Sequence, residues 1–498
     1  MLNRLQSFLD HPAKWHILLV FAVIVLNKLG IDVSGGEEQY LAFAKQFTNP
    51  DWIPGSFTYT EFPGSRLVFQ WMVGPIMQVL SFEVATLVFR TLNFALIAVP
   101  IGLILKRLNV SILLSFLFIQ VFVLSIQNFV GGEWIIKSFE PKSIAYAFVF
   151  FGINALIQKR YMGITVYMAL ATYFHVLVGG WVMLLIGVHL LLDRKVLEGV
   201  KVGLLYLLLL APFIWYLFTG YLMDETVSKY ALDNIYCYYR LPNHLGIWRT
   251  TEYFMKGNFS GGLIVLGIVL SAIWWFKKVN ESFRPLAQIM LLAFGINLIY
   301  IGIAAMDHFM FENSGGFGLK YYPFRTNAIG TFAILILVIG AFERRVLSRF
   351  PHPRFRQGIL FLSLFLLLIQ AVNNVNRSRE YLARNPAFAE VVQYVNLETP
   401  RDASFLILEP TSHKKEYISF GRMAERENFC VPKFVSAERE KLSEWYRRDR
   451  VYRKLWAEPE HIVAYRVRNN ITHVISERRL PDLRLLKSVE GYHVYVLD

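Results

Sequence analysis

This chain of 498 residues has little cysteine and lacks the common nucleotide-binding and hydrolase motifs. It has two cysteines, Cys237 and Cys430, and no CxxC pair or Cys/His cluster, so the sequence predicts no zinc site. A disulfide between them and two free thiols are both compatible with the sequence. The chain has no P-loop, no GxGxxG fingerprint and no GxSxG elbow, which argues against an ATP-driven pump, a Rossmann enzyme and an α/β-hydrolase.

Charged residues are also few, at 18% of the chain, with 51 Lys and Arg against 37 Asp and Glu. In a soluble protein, the net charge of +14 would suggest nucleic acid as a partner. Here the basic residues cluster at one set of ends of apolar segments, as they do in membrane proteins. We therefore expect no nucleic-acid partner.

Long apolar runs dominate the chain, which is 55% hydrophobic with a mean hydropathy of +0.40. A segment that crosses a bilayer must satisfy its own backbone hydrogen bonds, and an apolar helix does so. The sequence predicts an α-helical polytopic membrane protein with about 11 transmembrane helices. The predicted spans are residues 15–31, 86–106, 110–127, 141–157, 161–174, 176–192, 201–222, 260–277, 286–304, 325–342 and 357–373.

Basic residues in alternate loops predict the orientation, with the N-terminus in the cytoplasm and the tail outside. The first apolar run lacks a small-residue cleavage site and is expected to be a retained helix. Residues 66–82 would reverse every later loop if they crossed the membrane. Because they are short and contain Gly74 and Pro75, we expect an interfacial or re-entrant helix there.

The composition changes near residue 377 and predicts two domains. Residues 1–376 form a transmembrane module with outer-face loops, and residues 377–498 form a small extracytoplasmic α/β domain. Pro386 opens an apolar pattern typical of an amphipathic helix, and Ser404 opens a buried strand. Arg447 and Arg448 are expected on a solvated helix face.

Two adjacent carboxylates, Glu37 and Glu38, follow the first predicted span. A carboxylate at a helix end, shielded by lipid, can deprotonate a hydroxyl or hold a divalent cation. Acids also favour the first turn of a helix, so the pair is equally explained as a cap for a helix that starts near Gln39.

The second outer loop adds Glu133, Lys137 and Glu140. Lysines beside carboxylates suit a phosphate-bearing substrate, although a solvated turn with surface ion pairs would look the same. His175 lies between two predicted spans, where an ionisable group is a functional candidate by default. A histidine hydrogen-bonded to a neighbouring helix is the alternative.

The last large loop carries Asp307, Tyr322 and Arg325. Arg325 begins a predicted span, where a guanidinium can hold a phosphate bidentately or extend to lipid headgroups. Arg66, at the start of the interfacial segment, allows the same two interpretations.

The order of these features resembles the GT-C superfamily of integral-membrane glycosyltransferases, which use polyprenyl-phosphate-linked sugars. In this chain the features are an acidic first loop, a Pro-Gly stretch with an outer-face helix, a span with a basic end, an acidic second loop and an outer α/β domain. They are Glu37-Glu38 with Tyr40, Phe62 to Trp71, Arg90 to Leu108, Glu133, and the tail segment Tyr465 to Ile475. Family members usually carry an aspartate in the first loop. Here the pair is Glu37-Glu38, with Asp32 nearby, which leaves the identity of the base open.

The resemblance implies an inverting sugar transfer from a polyprenyl-phosphate-linked donor to a glycan, lipid or other cell-envelope acceptor. It implies a bacterial plasma membrane location with the reaction on the outer face, in contact with membrane lipids. The expected catalytic residues are Glu37, Glu38 and Glu133. The expected substrate-binding residues are Arg325, Lys137, Arg66, His175, Glu140, Asp307 and Tyr322. A divalent metal ion, Mg or Mn, is the only cofactor considered, with Glu37 and Glu133 as its ligands.

Two other functions remain open. An O-antigen-type polymerase or ligase would share the location and donor but would rely on arginines in outer loops. A lipid-linked glycan flippase would place charges deep inside the spans, whereas most charges here lie at helix ends. The Trp-Trp-Asp acceptor motif of oligosaccharyltransferases is absent, which argues against protein N-glycosylation.

Overall fold

Two compact units make up the chain in a computed structural model. The described residues are 12–124, 127–128, 130–222, 231–248, 281–312, 316, 318–349, 352–383, 385–408, 415–431, 433–434 and 438–497. The first unit comprises Met1–Gly30, Leu87–Tyr216 and Cys237–Asn376. The second comprises Ile31–Thr86, Leu217–Tyr236 and Arg377–Asp498, so it combines the tail with the first loop region.

Helices form most of the chain before the tail. They are α1 (Lys14–Lys28), α2 (Gly35–Thr48), α3 (Leu67–Met77), α4 (Phe82–Arg107), α5 (Ile112–Leu124), α6 (Pro141–Ile157), α7 (Tyr161–Phe174), α8 (Val176–Leu192), α9 (Val196–Leu217), α10 (Arg284–Phe311), α11 (Arg325–Phe342) and α12 (Pro353–Leu382). Short helical turns occupy Gly64–Arg66, Phe218–Leu222, Leu232–Asn234, Ile235–Arg240, Glu281–Phe283, Leu319–Tyr321 and Glu343–Leu347.

The chain is a helical membrane protein with a small C-terminal sheet. Five helices among the described residues are long and apolar enough to cross a membrane, and four shorter apolar helices accompany them. The long ones are Phe82–Arg107, Val196–Gly220, Glu281–Phe311, Arg325–Leu347 and Pro353–Leu382. Ten of the predicted spans coincide with helices. The span predicted at 260–277 lies outside the described residues, and the total of 11 stays a prediction.

Aromatic packing holds the first unit together. The ring of Phe332 on α11 lies 5.6 Å from that of Phe118, 5.5 Å from that of Phe122 and 4.4 Å from that of Phe150. All four side chains are buried. These rings join α5, α6 and α11; the N-terminal ends of α6 and α11 carry the site described below, and α5 ends shortly before the loop of that site.

The segment predicted to be interfacial contains α3, which has 11 residues. At about 1.5 Å per residue it spans about 16 Å, roughly half of a bilayer core. Gly74 lets α3 approach α2 closely, because a Cβ there would lie 2.4 Å from the carbonyl oxygen of Ala44. The interfacial or re-entrant position of this segment stays a prediction.

The tail is an α/β domain in the second unit. Its elements are α13 (Pro386–Glu398), β1 (Ser404–Leu408), α14 (Lys415–Ala424), β2 (Glu427–Asn428), α15 (Arg439–Ala457), α16 (Ile462–Asn469), β3 (His473–Ser476), β4 (Arg484–Val489) and β5 (Tyr492–Val496), with a short turn at Pro459–His461. The sheet order is β2-β1-β3-β5-β4, with β2, β1 and β3 parallel and β5 antiparallel to both neighbours.

Apolar side chains cover both faces of the sheet, and all five residues of β1 are buried. Phe405 and Ile407 belong to the cluster with Phe388 of α13, and Leu406 belongs to the cluster with Leu455 of α15. The predicted helix at Pro386 and strand at Ser404 are confirmed.

The sequence predicts that Arg447 and Arg448 lie on a solvated helix face, but the structure does not place them there. Both guanidinium groups bond to Glu444, and that of Arg448 also donates to the carbonyl oxygen of Phe429 at 3.1 Å. Their helix, α15, packs against the sheet. Its many charged residues obscure the apolar spacing that would have predicted this packing. Cys237 and Cys430 are both buried and are not joined by a disulfide.

Candidate functional site

The loop before α6 in the first unit is held in one conformation by side-chain bonds to its backbone. Gln127 accepts hydrogen bonds from the amides of Ile135 and Ile136, both at 2.7 Å. Gly131 has φ +73°, and a Cβ there would lie 3.0 Å from the Cβ of Phe324. Only glycine adopts this conformation and permits this approach without strain. The loop therefore presents Glu133 in a defined place.

Glu133 is fully buried and contacts two cations. Nη1 of Arg325 donates to both carboxylate oxygens at 2.9 Å. Nζ of Lys142 lies 3.2 Å from Oε1 of the same carboxylate. Burial alone would raise the pKa of Glu133, but Arg325 and Lys142 hold it below its usual value. The carboxylate is ionised at neutral pH.

Both cations stand at helix N-termini. Lys142 is the second residue of α6, whose first residue is Pro141, and Arg325 is the first residue of α11. Glu140 caps α6 together with Ser143. Helix N-termini carry partial positive charge, so the backbone adds to the potential that the two side chains create.

Rings surround this cluster. The guanidinium of Arg325 lies 4.1 Å from the centre of the Tyr322 ring, and the ring of His244 lies 5.7 Å from that of Tyr322. Nδ1 of His244 donates to the carbonyl oxygen of Gly131 at 2.6 Å. Burial, together with the nearby cations Lys142 and Arg325, lowers the pKa of His244 to about 4 although Glu133 opposes the shift. His244 is therefore neutral at pH 7.

We call Glu133, Lys142, Arg325, His244 and Tyr322 the basic cluster. It contains two cations and one carboxylate at neutral pH, because His244 is uncharged, and Glu140 places a second carboxylate 3.9 Å from Nζ of Lys142. The two helix N-termini and the planar guanidinium suit an anion such as a phosphate that takes the place of the Glu133 carboxylate.

The remaining residues predicted for substrate binding in the first unit occupy other surroundings. Lys137 is exposed, with its ammonium 5.8 Å from the Trp134 ring. His175 caps α8, where its Nδ1 accepts from the amide of Val178 at 3.4 Å. Asp307 is buried and accepts hydrogen bonds from the Tyr238 hydroxyl and, at 3.0 Å, from the amide of Gly316.

The acidic pair of the first loop lies in the second unit, where each carboxylate has a separate role. Glu37 is the third residue of α2 and accepts from the amide of Ser34 at 2.9 Å, completing a capping box. Glu38 faces the tail helix α14. Nε of Arg422 donates to its Oε2 at 2.6 Å, and Nη2 of Arg422 donates to its Oε1 at 2.8 Å. Ser419 adds a bond to Oε1 at 2.7 Å.

We call Glu38, Ser419, Arg422 and Glu83 the acidic cluster. Arg422 also donates to Oε1 of Glu83 at 3.2 Å, so two carboxylates share one guanidinium. Burial would lower the pKa of Arg422, but Glu38 and Glu83 raise it above its usual value.

Arg66 lies in the second unit near Glu61. It forms an ion pair with Glu61, and its guanidinium lies 5.4 Å from the Tyr40 ring and 5.5 Å from the Phe43 ring. The ion pair with Glu61 and the contacts with two rings indicate that Arg66 fixes the start of α3 in place. Arg66 is thus held by protein groups in the second unit.

The residues predicted to hold a metal do not form a suitable ligand set. Glu133 is surrounded by cations, which repel a divalent ion, and Glu37 is engaged in a helix cap. Across the part of the chain that the structure describes, no three His, Cys, Asp or Glu side chains are grouped for metal binding.

Sequence reasoning did not single out four side chains of these clusters: His244, Glu83, Ser419 and Arg422. None carries a local signal, because each gains its role from a partner far along the chain. The amphipathic spacing of α14 could have shown that Ser419 and Arg422 share one helix face, but not that Glu38 meets them. No protein-family model and no curated protein matches the chain.

Proposed function

We propose that the protein is a membrane glycosyltransferase that transfers a sugar from a polyprenyl-phosphate-linked donor to a hydroxyl of a cell-envelope glycan or lipid. The reaction takes place on the extracytoplasmic face of a bacterial plasma membrane. The observation that carries the proposal is the convergence of Arg325 and Lys142 on the buried carboxylate of Glu133 at the ends of two apolar helices. The resemblance of the chain to GT-C enzymes supplies the reaction class.

The basic cluster recognises the donor phosphate in this proposal. A phosphate has the charge and the planar pairs of oxygens that match a guanidinium and an ammonium held at two helix N-termini. Glu133 takes the place of this anion in the free protein. A donor phosphate that binds Arg325 and Lys142 weakens their contacts with Glu133.

Donor binding then prepares the base. Glu133 is fully buried, and its pKa is lowered only because the two cations oppose the effect of burial. When the phosphate shares those cations, the pKa of the buried carboxylate rises and its basicity increases. Glu133 then removes a proton from the acceptor hydroxyl.

The proposed step is a single displacement. The acceptor oxygen bonds to the anomeric carbon as Glu133 takes its proton, and the bond from that carbon to the phosphate oxygen breaks. The bonding electrons pass to the leaving polyprenyl phosphate, whose charge Arg325 and Lys142 stabilise. One displacement inverts the anomeric centre. The proton on Glu133 passes to water or to the departing phosphate.

Glu37 and Glu38 stay predicted catalytic residues because of the resemblance, with one of them as the base. In the second unit they serve a helix cap and the ion pair with Arg422. The helix cap and the ion pair can each stabilise the folded protein. Turnover and stability must therefore be measured together for Glu37 and Glu38.

The test is transfer from a panel of radiolabelled polyprenyl-phosphate sugars to an extract of envelope lipids and glycans, with purified protein. We expect transfer from at least one donor with release of polyprenyl phosphate. Glu133→Gln should lower turnover about 100-fold or more, the usual contribution of a general base. The matched control is Glu440→Gln, which changes an exposed glutamate in the same way.

Full turnover by a folded Glu133→Gln protein would contradict the proposed base. Loss of activity in Arg325→Ala, with activity kept in Glu133→Gln and in a Glu37/Glu38 double alanine, would favour the polymerase or ligase. Movement of lipid-linked glycan across proteoliposomes without covalent change would favour the flippase.

A further inference from the structure

A polar pocket lies in the second unit at the amino ends of β1 and β3. Its volume is about 270 Å³. Its walls come from the turn at Pro54 and Gly55, the segment before β1, the end of α16 and the side chain of Arg448. A Cβ built on Gly55 would meet nothing within 4 Å, which shows that this side is open.

The polar side chains of the pocket are held in place by neighbours. Arg448 donates to Glu444 at 3.0 Å, and its guanidinium lies 3.9 Å from the centre of the Phe57 ring. Nδ1 of His473 lies 2.8 Å from Oγ1 of Thr472. A site whose groups are already ordered loses little entropy when it binds a ligand.

Glu427 anchors the back of the pocket. Its carboxylate accepts hydrogen bonds from the hydroxyl of Ser56 and, at 2.9 Å, from the hydroxyl of Thr58. Burial raises the pKa of Glu427, although Ser56, Arg448 and Thr58 oppose the shift. The pocket thus offers carboxylate acceptors, a guanidinium donor and carboxamides that both donate and accept.

This set of groups disfavours ions. The carboxylates of Asp402 and Glu427 oppose a phosphate, and Arg448, whose Nη1 lies 3.5 Å from Oε1 of Glu427, offsets the charge that would attract a cation. A neutral ligand with many hydroxyls needs alternating donors and acceptors, which the lining supplies. Pro54 and Phe57 add apolar surface for the C–H face of a ring.

The size of the pocket limits the ligand to about one ring. Pockets for drug-sized molecules run from about 300 to 1,000 Å³, and this one lies just below that range. We propose that the pocket is a binding site for one neutral saccharide ring. The proposal does not depend on the transferase reaction, since it rests on residues of the second unit alone.

The test measures binding of neutral methyl glycosides and N-acetylglucosamine to full-length protein in detergent micelles, by saturation-transfer NMR and calorimetry. The pocket variant combines Asp402→Ala with Asn470→Gly. Asn470 has φ +51°, a conformation that glycine adopts freely, so its carboxamide is removed without strain. We expect at least one saccharide to bind, and the variant to weaken binding about tenfold or more.

The matched control combines Asp482→Ala with Glu490→Gly, which changes an exposed aspartate and another left-handed position with φ +36°. It should bind saccharide as the unchanged protein does. Glu133→Gln should also bind normally, so failure of the transferase proposal and failure of this one can be distinguished. Thermal unfolding of each variant confirms that it is folded.

Three outcomes would overturn the proposal. One is that no saccharide of the panel binds. Another is that pocket variant and control bind equally. The third is that inorganic phosphate, and not a saccharide, binds in a manner that depends on Asp402 and Asn470.

Discussion

The basic cluster and the acidic cluster each contain a buried glutamate bound by an arginine, but the two clusters share their charges differently. Glu133 contacts two cations, Arg325 and Lys142, and Lys142 also lies 3.9 Å from Oε2 of Glu140. In the acidic cluster, two carboxylates, Glu38 and Glu83, share one cation, Arg422. In the proposed function the first arrangement receives an anion, whereas the second attaches two segments of the second unit.

Bond geometry strengthens this contrast. Arg422 uses two different nitrogens for the two oxygens of Glu38, and Ser419 adds a third bond. Arg325 contacts both oxygens of Glu133 through Nη1. The bidentate fork of Arg422 on Glu38 is the tighter arrangement. The contact of Arg325 with Glu133 through one nitrogen is more easily replaced by a contact with a ligand.

After the loss of turnover expected for Glu133→Gln, the next largest effect on the reaction is expected for Arg325→Lys, which keeps the charge and loses the planar fork. Lysine is a point charge that binds phosphate without the bidentate geometry, so we expect donor use to fall about tenfold or more, seen as a higher KM. The matched control is Arg422→Lys, which makes the same change in the acidic cluster and should leave the donor KM unchanged. Equal effects of both variants would remove the distinction between the clusters.

Glu38→Gln tests the attachment role. Breaking a buried ion pair on one side leaves a charge without its partner and costs about 3–5 kcal/mol. We expect a lower unfolding midpoint, with turnover per folded molecule retained. The double variant Glu38→Gln/Arg422→Met, which removes both charges, should regain part of the stability.

The sequence-based hypothesis that Glu37 or Glu38 is the base makes the opposite prediction. It expects a loss of turnover of about 100-fold in one of the two glutamine variants at unchanged stability. Turnover and unfolding measured on the same samples decide between the two roles.

Acidic pH should weaken the basic cluster through His244. Its pKa in the folded protein, about 4, lies below its usual 6.5. The folded state therefore binds fewer protons than the unfolded state between these values, and stability falls as the pH falls from 6.5 to 4. A shift of this size corresponds to about 3 kcal/mol.

His244→Asn isolates this contribution. Asparagine keeps a donor near the position of Nδ1 and does not titrate, so the variant should lose less stability between pH 7 and pH 4.5. Unfolding midpoints across this range provide the measurement. Parallel pH profiles for both proteins would show that His244 does not carry the effect.

Asp482→Cys, which should perturb the protein least, tests on which side of the membrane the tail lies. Asp482 is exposed in the tail domain, whereas Cys237 and Cys430 are buried and should react slowly. Asp482→Cys should react with an impermeant maleimide in intact spheroplasts if the tail is extracytoplasmic. Protection until lysis would place both the tail and the outer loops on the other side.

Periodic patterns predicted helices and strands well where local hydrophobicity and length are enough to form the element. Apolar runs near residues 141–157 and 325–342 became α6 and α11 at almost the predicted bounds, since helices in lipid need only length and hydrophobicity. Pro386 opened α13 and Ser404 opened β1 for similar local reasons. The charged pattern of α15 was misleading, because Arg448 packs on Phe57 and Phe429 instead of facing water.

Local sequence patterns were enough to predict the membrane class, most of the apolar helices, and the candidate residues Glu37, Glu38, Glu133 and Arg325. Which charges meet depends on the fold. Glu133 and Arg325 are 192 positions apart, and Glu38 and Arg422 are 384 apart. Local patterns record which face of a helix is apolar, but a contact over such distances depends on how the helices and the tail fold together. The charge balance of each cluster follows from those contacts alone.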